Sequence, residues 1–218
     1  MKKDLLKILA ILILSGMILP SMAQDIVLPA PDKTGGKPLM QVLNERQTTR
    51  SFTKDTLTLH QLSDLLWAGF GINRPGQGKR TAPSAMNWQE IDIYVALPGG
   101  TYIYVAETHA LKFINNKDLR KATGSQAFVA DAGLNLVYVA DLGKRGLKPG
   151  EQISDADLFM TYSDAAFIAQ NVYLYCASAG LGCVVRGSVP ENGTLVADLG
   201  LRPEQRIILA QTAGVPAK

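Results

Sequence analysis

The chain has 218 residues, two Cys and a formal net charge of +3. Three of its Lys and one Asp fall in the first seven residues, so the charge without that segment is +1. Such a balance makes no case for nucleic-acid binding, and the length suits one domain.

Residues 1–7 set Lys2, Lys3 and Lys7 against Asp4, and ILAILILSGMIL at 8–19 is one apolar run. The run falls short of the roughly 20 apolar residues that a membrane span needs. Pro20 follows, and small residues at Ser21 and Ala23 frame a signal-peptidase site with Gln24 as the new N-terminus. Residues 1–23 are read as a cleaved signal peptide. The mature protein is then exported, to the periplasm, and keeps no membrane span. Residues 24–37 carry Pro29, Pro31, Gly35 and Gly36 and read as a flexible lead-in to a domain at 38–218.

Pro38 can open a helix reaching about Arg46, with Leu39, Val42 and Leu43 on one face. Thr58 begins a second helix, in which Leu59, Leu62, Leu65 and Leu66 recur at helical spacing, and NRPGQGKR at 73–80 reads as a loop. Alternation at 91–96 predicts a strand, Pro98, Gly99 and Gly100 a turn, and TYIYVA at 101–106 the returning strand. A further strand is expected at 110–114, and Asn116 is placed to cap a short helix ending at Thr123. LNLVYVA at 134–140 is almost continuously apolar, as a central strand buried on both faces would be. Residues 155–179 form the longest predicted helix, apolar nearly all round and so buried, with Gly180 as its stop. A strand at 183–187, a small helix from Thr194 to Leu199 and a last strand at 206–213 complete the chain. The irregular alternation argues an α+β fold.

Conventional catalytic sets are absent from this sequence: it has no GxSxG, HExxH or GxxxxGK[ST] segment, and its two His stand apart from any metal-like cluster. His60 and His109 read as surface or packing residues, and Asp155, Asp157 and Asp164 as charges suited to a helix N-terminus. Were Cys176 and Cys183 both on one helix, their rise would separate them by about 10 Å, too far for a disulfide. Two small buried apolar residues are the better reading. A chain without its own acid, base or metal set commonly relies on a cofactor.

Three segments point to one. RQTTRSF at 46–52 places two Arg four residues apart with hydroxyls between, a pattern that can grip a phosphate. APSAMNWQ at 82–89 offers Ser84 and Asn87 to the polar edge of a planar ring. GLGCVVRG at 180–187 sets backbone N–H groups after a Gly-terminated helix, where a flavin needs a donor near N5. Taken singly, a solvated basic helix end, turn chemistry and a Gly cap explain them about as well.

Together and in this order, the three segments resemble the nitroreductase family of FMN proteins from about Pro38 to Pro216. LLWAGFGINRP, TAPSAMNWQEIDIYV, AQNVYLYCASAGLG and LRPEQRIILAQTAGVP carry the resemblance. It implies a nitroreductase-like α+β fold, a central mixed or antiparallel sheet flanked by helices, and a homodimer with FMN at the interface. Arg46, Gln47, Thr48 and Arg50 match the motif that holds the FMN phosphate, ribityl chain and pyrimidine edge. Pro83, Ser84, Ala85 and Asn87 match the loop lent by the other chain. Val185, Arg186 and Gly187 match the segment whose backbone lies against N5 and O4, and Gln126 a polar contact to the ring. No side chain is assigned as catalytic and no metal is expected. The resemblance implies hydride transfer from a reduced nicotinamide or another small-molecule donor, through FMN, to a nitroaromatic, quinone or similar acceptor. The alternative is an exported flavin-binding or carrier protein that does not turn over, since reduced nicotinamides are cytoplasmic. Two departures stand out. After Gly214, Val215 and Pro216 only Lys218 is basic, where the family has a phosphate-binding residue. Only residues 141–156 occupy the place of the helical excursion that covers the flavin, which implies a more open site.

Overall fold

The computed structural model describes residues 24–190 and 193–217. The expected signal peptide at 1–23 and the expected substitute Lys218 lie outside them. The fold is a seven-stranded sheet with helices packed on it, in the order β1-β6-β5-β4-β7-β9-β8, and every neighbouring pair is antiparallel. Its strands are β1 (Ile26–Val27), β4 (Ile91–Leu97), β5 (Gly100–Val105), β6 (Ala110–Asn115), β7 (Leu134–Asp141), β8 (Gly182–Arg186) and β9 (Gln205–Gly214).

The middle strand β7 is buried at all eight positions, as its apolar run predicts. One face of the sheet is covered by α2 (Leu59–Phe70) and by the 25-residue α4 (Asp155–Ala179). Leu65, Leu66, Leu136, Tyr138, Ile168 and Val172 meet in the large core there. Short α1 (Leu39–Glu45) packs on α4 through Val42. The opposite face carries a smaller core of Tyr94, Val137, Val139, Leu195 and Ile207, with α5 (Thr194–Asp198) over it.

Local chemistry sets the helix ends. Thr58 and Gln61 close a capping box at the start of α2, and Ser154 and Asp157 close one at the start of α4. Gly180 ends α4 in the left-handed region at φ 69°, where its N–H and that of Leu181 both reach the Cys176 carbonyl.

Several segments differ from expectation. Residues 24–37 are docked, not loose: Ile26 and Val27 pair with Leu111 and Ala110, and Asp32 accepts hydrogen bonds from the Thr34 and Gly35 N–H groups. The Pro and Gly that suggested looseness serve turn chemistry. The 73–80 stretch contains a small hairpin of β2 (Ile72–Arg74) and β3 (Lys79–Arg80). No helix begins at Asn116; a single 3₁₀ turn, Arg120–Thr123, follows Asp118, whose carboxylate accepts from the Arg120 N–H. A short α3 (Phe128–Asp131), not foreseen, leads into β7.

Helix α2 offers a contrast that can be measured. Leu65 is wholly buried and Leu59 is 46% exposed, although both belong to the apolar pattern of α2. Leu65→Ala is expected to cost about 2–5 kcal/mol in urea unfolding. Leu59→Ala should cost much less, of the order of 0.5 kcal/mol.

Candidate functional site

The RQTTRSF segment leaves α1 and runs across the end of β8. The Thr49 N–H donates to the Cys183 carbonyl at 2.9 Å. This approach needs Gly182, because a Cβ there would stand 2.8 Å from Thr49 Cγ2 and 3.0 Å from Phe52. Beyond it, the C-terminal segment lies antiparallel to 51–53, with Thr53 N–H donating to the Val215 carbonyl and Ala217 N–H to that of Ser51. Together these segments wall a cavity of about 570 Å³ lined by Arg46, Gln47, Tyr173, Leu181, Cys183 and Pro216, among others. Its size suits a cofactor or small ligand.

Lys37 also lines this cavity but is paired with Glu45, which leaves Arg46 as its cation without an ion pair among the described residues. The Arg46 guanidinium lies 5.3 Å from the Tyr173 ring centroid. Arg50 is exposed and likewise without an ion pair among the described residues. Thr48 and Gln47 are exposed between these two Arg. Two guanidiniums and a hydroxyl without a carboxylate partner are donors suited to an anion such as a phosphate.

Tyr173 is the residue that sequence reasoning passed over. It lies in the buried face of α4, yet its hydroxyl accepts from the Val185 N–H at 2.9 Å and stands 3.3 Å from Thr48 Oγ1. It thus joins α4, β8 and the Arg-rich segment. The only sequence signal was a polar tip within an otherwise apolar helix face.

The third predicted segment divides. Val185 borders the cavity region through Tyr173, whereas the Arg186 side chain is 4% exposed and lies in a separate polar cluster. There its guanidinium donates to Thr212 Oγ1, the Thr123 carbonyl and hydroxyl, and Asn135 Oδ1. Burial, with no carboxylate bonded to it, pushes its pKa down to about 10. Gln126 stands beside this cluster. A Cβ on Gly124 would meet both Arg186 Nη1 and Gln126 Oε1, and Gln126 Oε1 is buried without a hydrogen-bond partner. That orphaned acceptor fits a ligand N–H. Gly187 is exposed just past the end of β8.

Pro83, Ser84, Ala85 and Asn87 are not at the Arg46 cavity in the same chain. Their loop docks on α4, where the Ala85 N–H donates to both Asp164 oxygens, at 2.9 and 3.1 Å. Asp164 precedes Tyr173 by nine residues, which is about 13–14 Å of helix. The loop is held taut: Met86, Asn87 and Gln89 all have positive φ, and Ser84 Oγ accepts from the Gln89 N–H. Pro83 and Asn87 are exposed. Asp164 does not serve the helix dipole as its sequence position suggested. It is 2% exposed in the third turn and holds the loop.

His60 is exposed, and His109 is a packing residue. Ser63 Oγ donates to the Pro29 carbonyl and lies 2.7 Å from His109 Nε2, while Tyr104 OH lies 2.9 Å from Nδ1. Ser63 is fully buried with its hydroxyl proton committed, so this set pins the N-terminal segment and supplies no nucleophile. Cys176 and Cys183 are on different elements, free and buried, as the apolar reading requires. Between β7 and α4 the described chain has one 3₁₀ turn, Leu142–Arg145, and no covering helix.

Comparison with known proteins gives four findings. The model of the nitroreductase family matches residues 43–215. A protein of Methanocaldococcus jannaschii, provisionally named a nitroreductase, is 30% identical over 164 residues, which is 71% of this chain and 80% of that protein. A crystal structure from Ralstonia eutropha JMP134, described in the same provisional way, superposes with a TM-score of 0.81 at 44% identity, covering 89% of this chain and 90% of that one. The fold is shared as well with a structure from Desulfovibrio desulfuricans in complex with FMN, at a TM-score of 0.58 and 20% identity over 84% of this chain and 89% of that one.

Removing the Tyr173 hydroxyl should strand the Val185 N–H. Tyr173→Phe is expected to lower stability by about 1–2 kcal/mol in urea unfolding and to shift the Val185 amide resonance.

Proposed function

The chain belongs to the nitroreductase family and is an oxidoreductase of that type, and we propose that it works through FMN held at a homodimer interface. The carrying observation is the Arg46 cavity, whose guanidinium is not spent on a carboxylate among the described residues; outside that cavity, Gln126 Oε1 is buried without a partner among them. Arg46 and Arg50 would hold the phosphate, Gln47 and Thr48 the ribityl chain and ring edge, and the 185–187 backbone the N5 side. When bound, FMN supplies the acceptance and release of a hydride. The chain's part is to bind, orient and shield. Tyr173 fixes Thr48 and the Val185 N–H relative to one another, so the phosphate end and the N5 end of the cavity share one anchor.

A dimer accounts for what one chain leaves undone. Most of the exposed large apolar residues, Val27 and Leu59 apart, cluster on α4 (Phe159, Met160, Tyr162 and Phe167) and on segments docked to it, Leu39, Met40 and Leu43 of α1 and Met86 of the loop. A second copy would cover them. It would also carry the 83–87 loop of one chain to the cavity of the other.

The donor is a reduced nicotinamide or another small molecule, and the acceptor a nitroaromatic, quinone or similar compound. The Lys-rich, apolar start of the chain supports export to the periplasm, where a donor other than cytoplasmic nicotinamide would be required. No helix among the described residues is long and apolar enough to cross a membrane.

Purified protein should bind FMN with quenched flavin fluorescence, and Arg46→Ala should weaken that binding about 10- to 100-fold. Anaerobic addition of NADH or NADPH should bleach the bound flavin, and a quinone or nitroaromatic should restore it. Binding without bleaching by either nicotinamide would favour a different donor or a carrier role; absence of binding would end the flavin reading.

A further inference from the structure

Glu90 is the acidic group that the fold hides most completely. It follows the strained loop directly, its side chain is fully buried, and neither carboxylate oxygen receives a hydrogen bond from any donor. Its own backbone carbonyl is engaged by the Asp141 N–H. Within reach of its side chain are its own backbone N–H, the Thr161 hydroxyl and another carboxylate, that of Asp164. Two carboxylates can bond only by sharing a proton, and two buried negative charges side by side would repel strongly.

The remaining charged groups nearby do not neutralise the pair. On α4, Thr161 faces Glu90, but its hydroxyl sits 3.0 Å from Arg145 Nη1 and 3.3 Å from the Asp157 carbonyl. Arg145, from the turn after β7, donates to that same carbonyl and hydroxyl, and stacks 4.2 Å from the Trp88 ring centroid. Lys144 is committed to Asp92 at 2.6 Å and reaches the Gln89 carbonyl. Asp157 is bonded to Ser154.

We propose that Glu90 and Asp164 hold one proton between them, and that this protonated pair clamps the 83–87 loop to α4 in the conformation that serves the flavin. Both are positioning residues. Glu90 carries the proton and donates a hydrogen bond to Asp164, whose two oxygens accept the Ala85 N–H. Desolvation raises the Glu90 pKa above the ordinary glutamate value, with the Asp164 charge adding to the rise. A folded-state pKa raised in this way sets the sign. The stabilisation is complete below the unfolded value near 4.5 and is lost as pH climbs through the raised folded value.

The clamp itself needs no flavin, although its purpose rests on the FMN reading. Its test uses flavin-free purified protein first, with the Ala85 amide resonance followed against pH. The wild type should show a single one-proton transition, with loss of the hydrogen-bonded shift and faster exchange at high pH. Glu90→Gln, whose amide donates to Asp164 at every pH, should abolish that transition. In a second arm, FMN affinity of the wild type should weaken above the transition by up to tenfold per pH unit, while Glu90→Gln shows no such slope. Asp164→Asn, which can still accept from Ala85 and donate to Glu90, should flatten both profiles in the same way and serves if the first variant does not fold. An Ala85 transition unchanged in the variants, or absent from the wild type, overturns the clamp. An intact Ala85 transition with no FMN binding at any pH upholds the clamp and overturns the flavin reading instead.

Discussion

The 25-residue α4, expected to be buried nearly all round, buries eight side chains along one face in the single chain, and most of this structure is arranged around that face. The sheet takes one side through Ala165, Ile168, Val172 and Cys176. Helix α2 takes another, with Gly69 close enough that a Cβ would stand 3.1 Å from Val172. Polar contacts then fix the register. Gln211 of β9 donates to the Ala169 carbonyl and to Cys183 Sγ, and accepts from Tyr138 of β7. Three strands and the helix thus converge on one amide. The two places where α4 carries a buried polar side chain near the candidate site, Asp164 and Tyr173, are the two places where a loop or a strand end is anchored to it.

Much of this was legible in the sequence because burial writes itself as periodicity. The seven-residue apolar run became the central strand, the leucine spacing became α2, and Gly180 ended α4 where it was expected to. The three candidate segments were visible as motifs, but their spatial relation was not. Nothing local says that the Arg-rich segment and the 83–87 loop attach to opposite stretches of one helix. The misreadings also have local causes. Pro and Gly at 29–36 signal turns, and turns occur in docked segments as well as loose ones. Asn116 has a capping side chain but no apolar face follows it, so the chain makes only a 3₁₀ turn. Asp164 looked like Asp155 and Asp157 because composition does not show depth; it shares the inward stripe of Ile168 and Val172, at steps of four.

The buried polar groups show how the fold spends its hydrogen bonds. Arg186 is surrounded by hydroxyls, a carbonyl and an amide oxygen, so its charge is solvated by dipoles in place of water. His109 is satisfied as a neutral ring, accepting from Tyr104 at Nδ1 and donating to Ser63 at Nε2, and burial keeps its pKa low. Glu90 differs from both. Neither of its carboxylate oxygens has a well-formed hydrogen bond among the described residues, and the Asp164 carboxylate stands beside it.

The short bridge between Phe52 and Pro216 has a consequence for the order of events during synthesis. The Arg46 wall is made early in the chain, but its backing strand, β9, and the 215–217 segment that braces it come near the other end. Helices α1 and α2 can begin to form while the polypeptide is still emerging, since their backbone hydrogen bonds are local even though their packing on α4 is not. The cavity cannot. Its two sides, Arg46 and Pro216, are 170 residues apart in sequence, so it exists only after β9 has been added. Any ligand of that cavity meets a finished protein, and its binding would hold the closed state together, not template it.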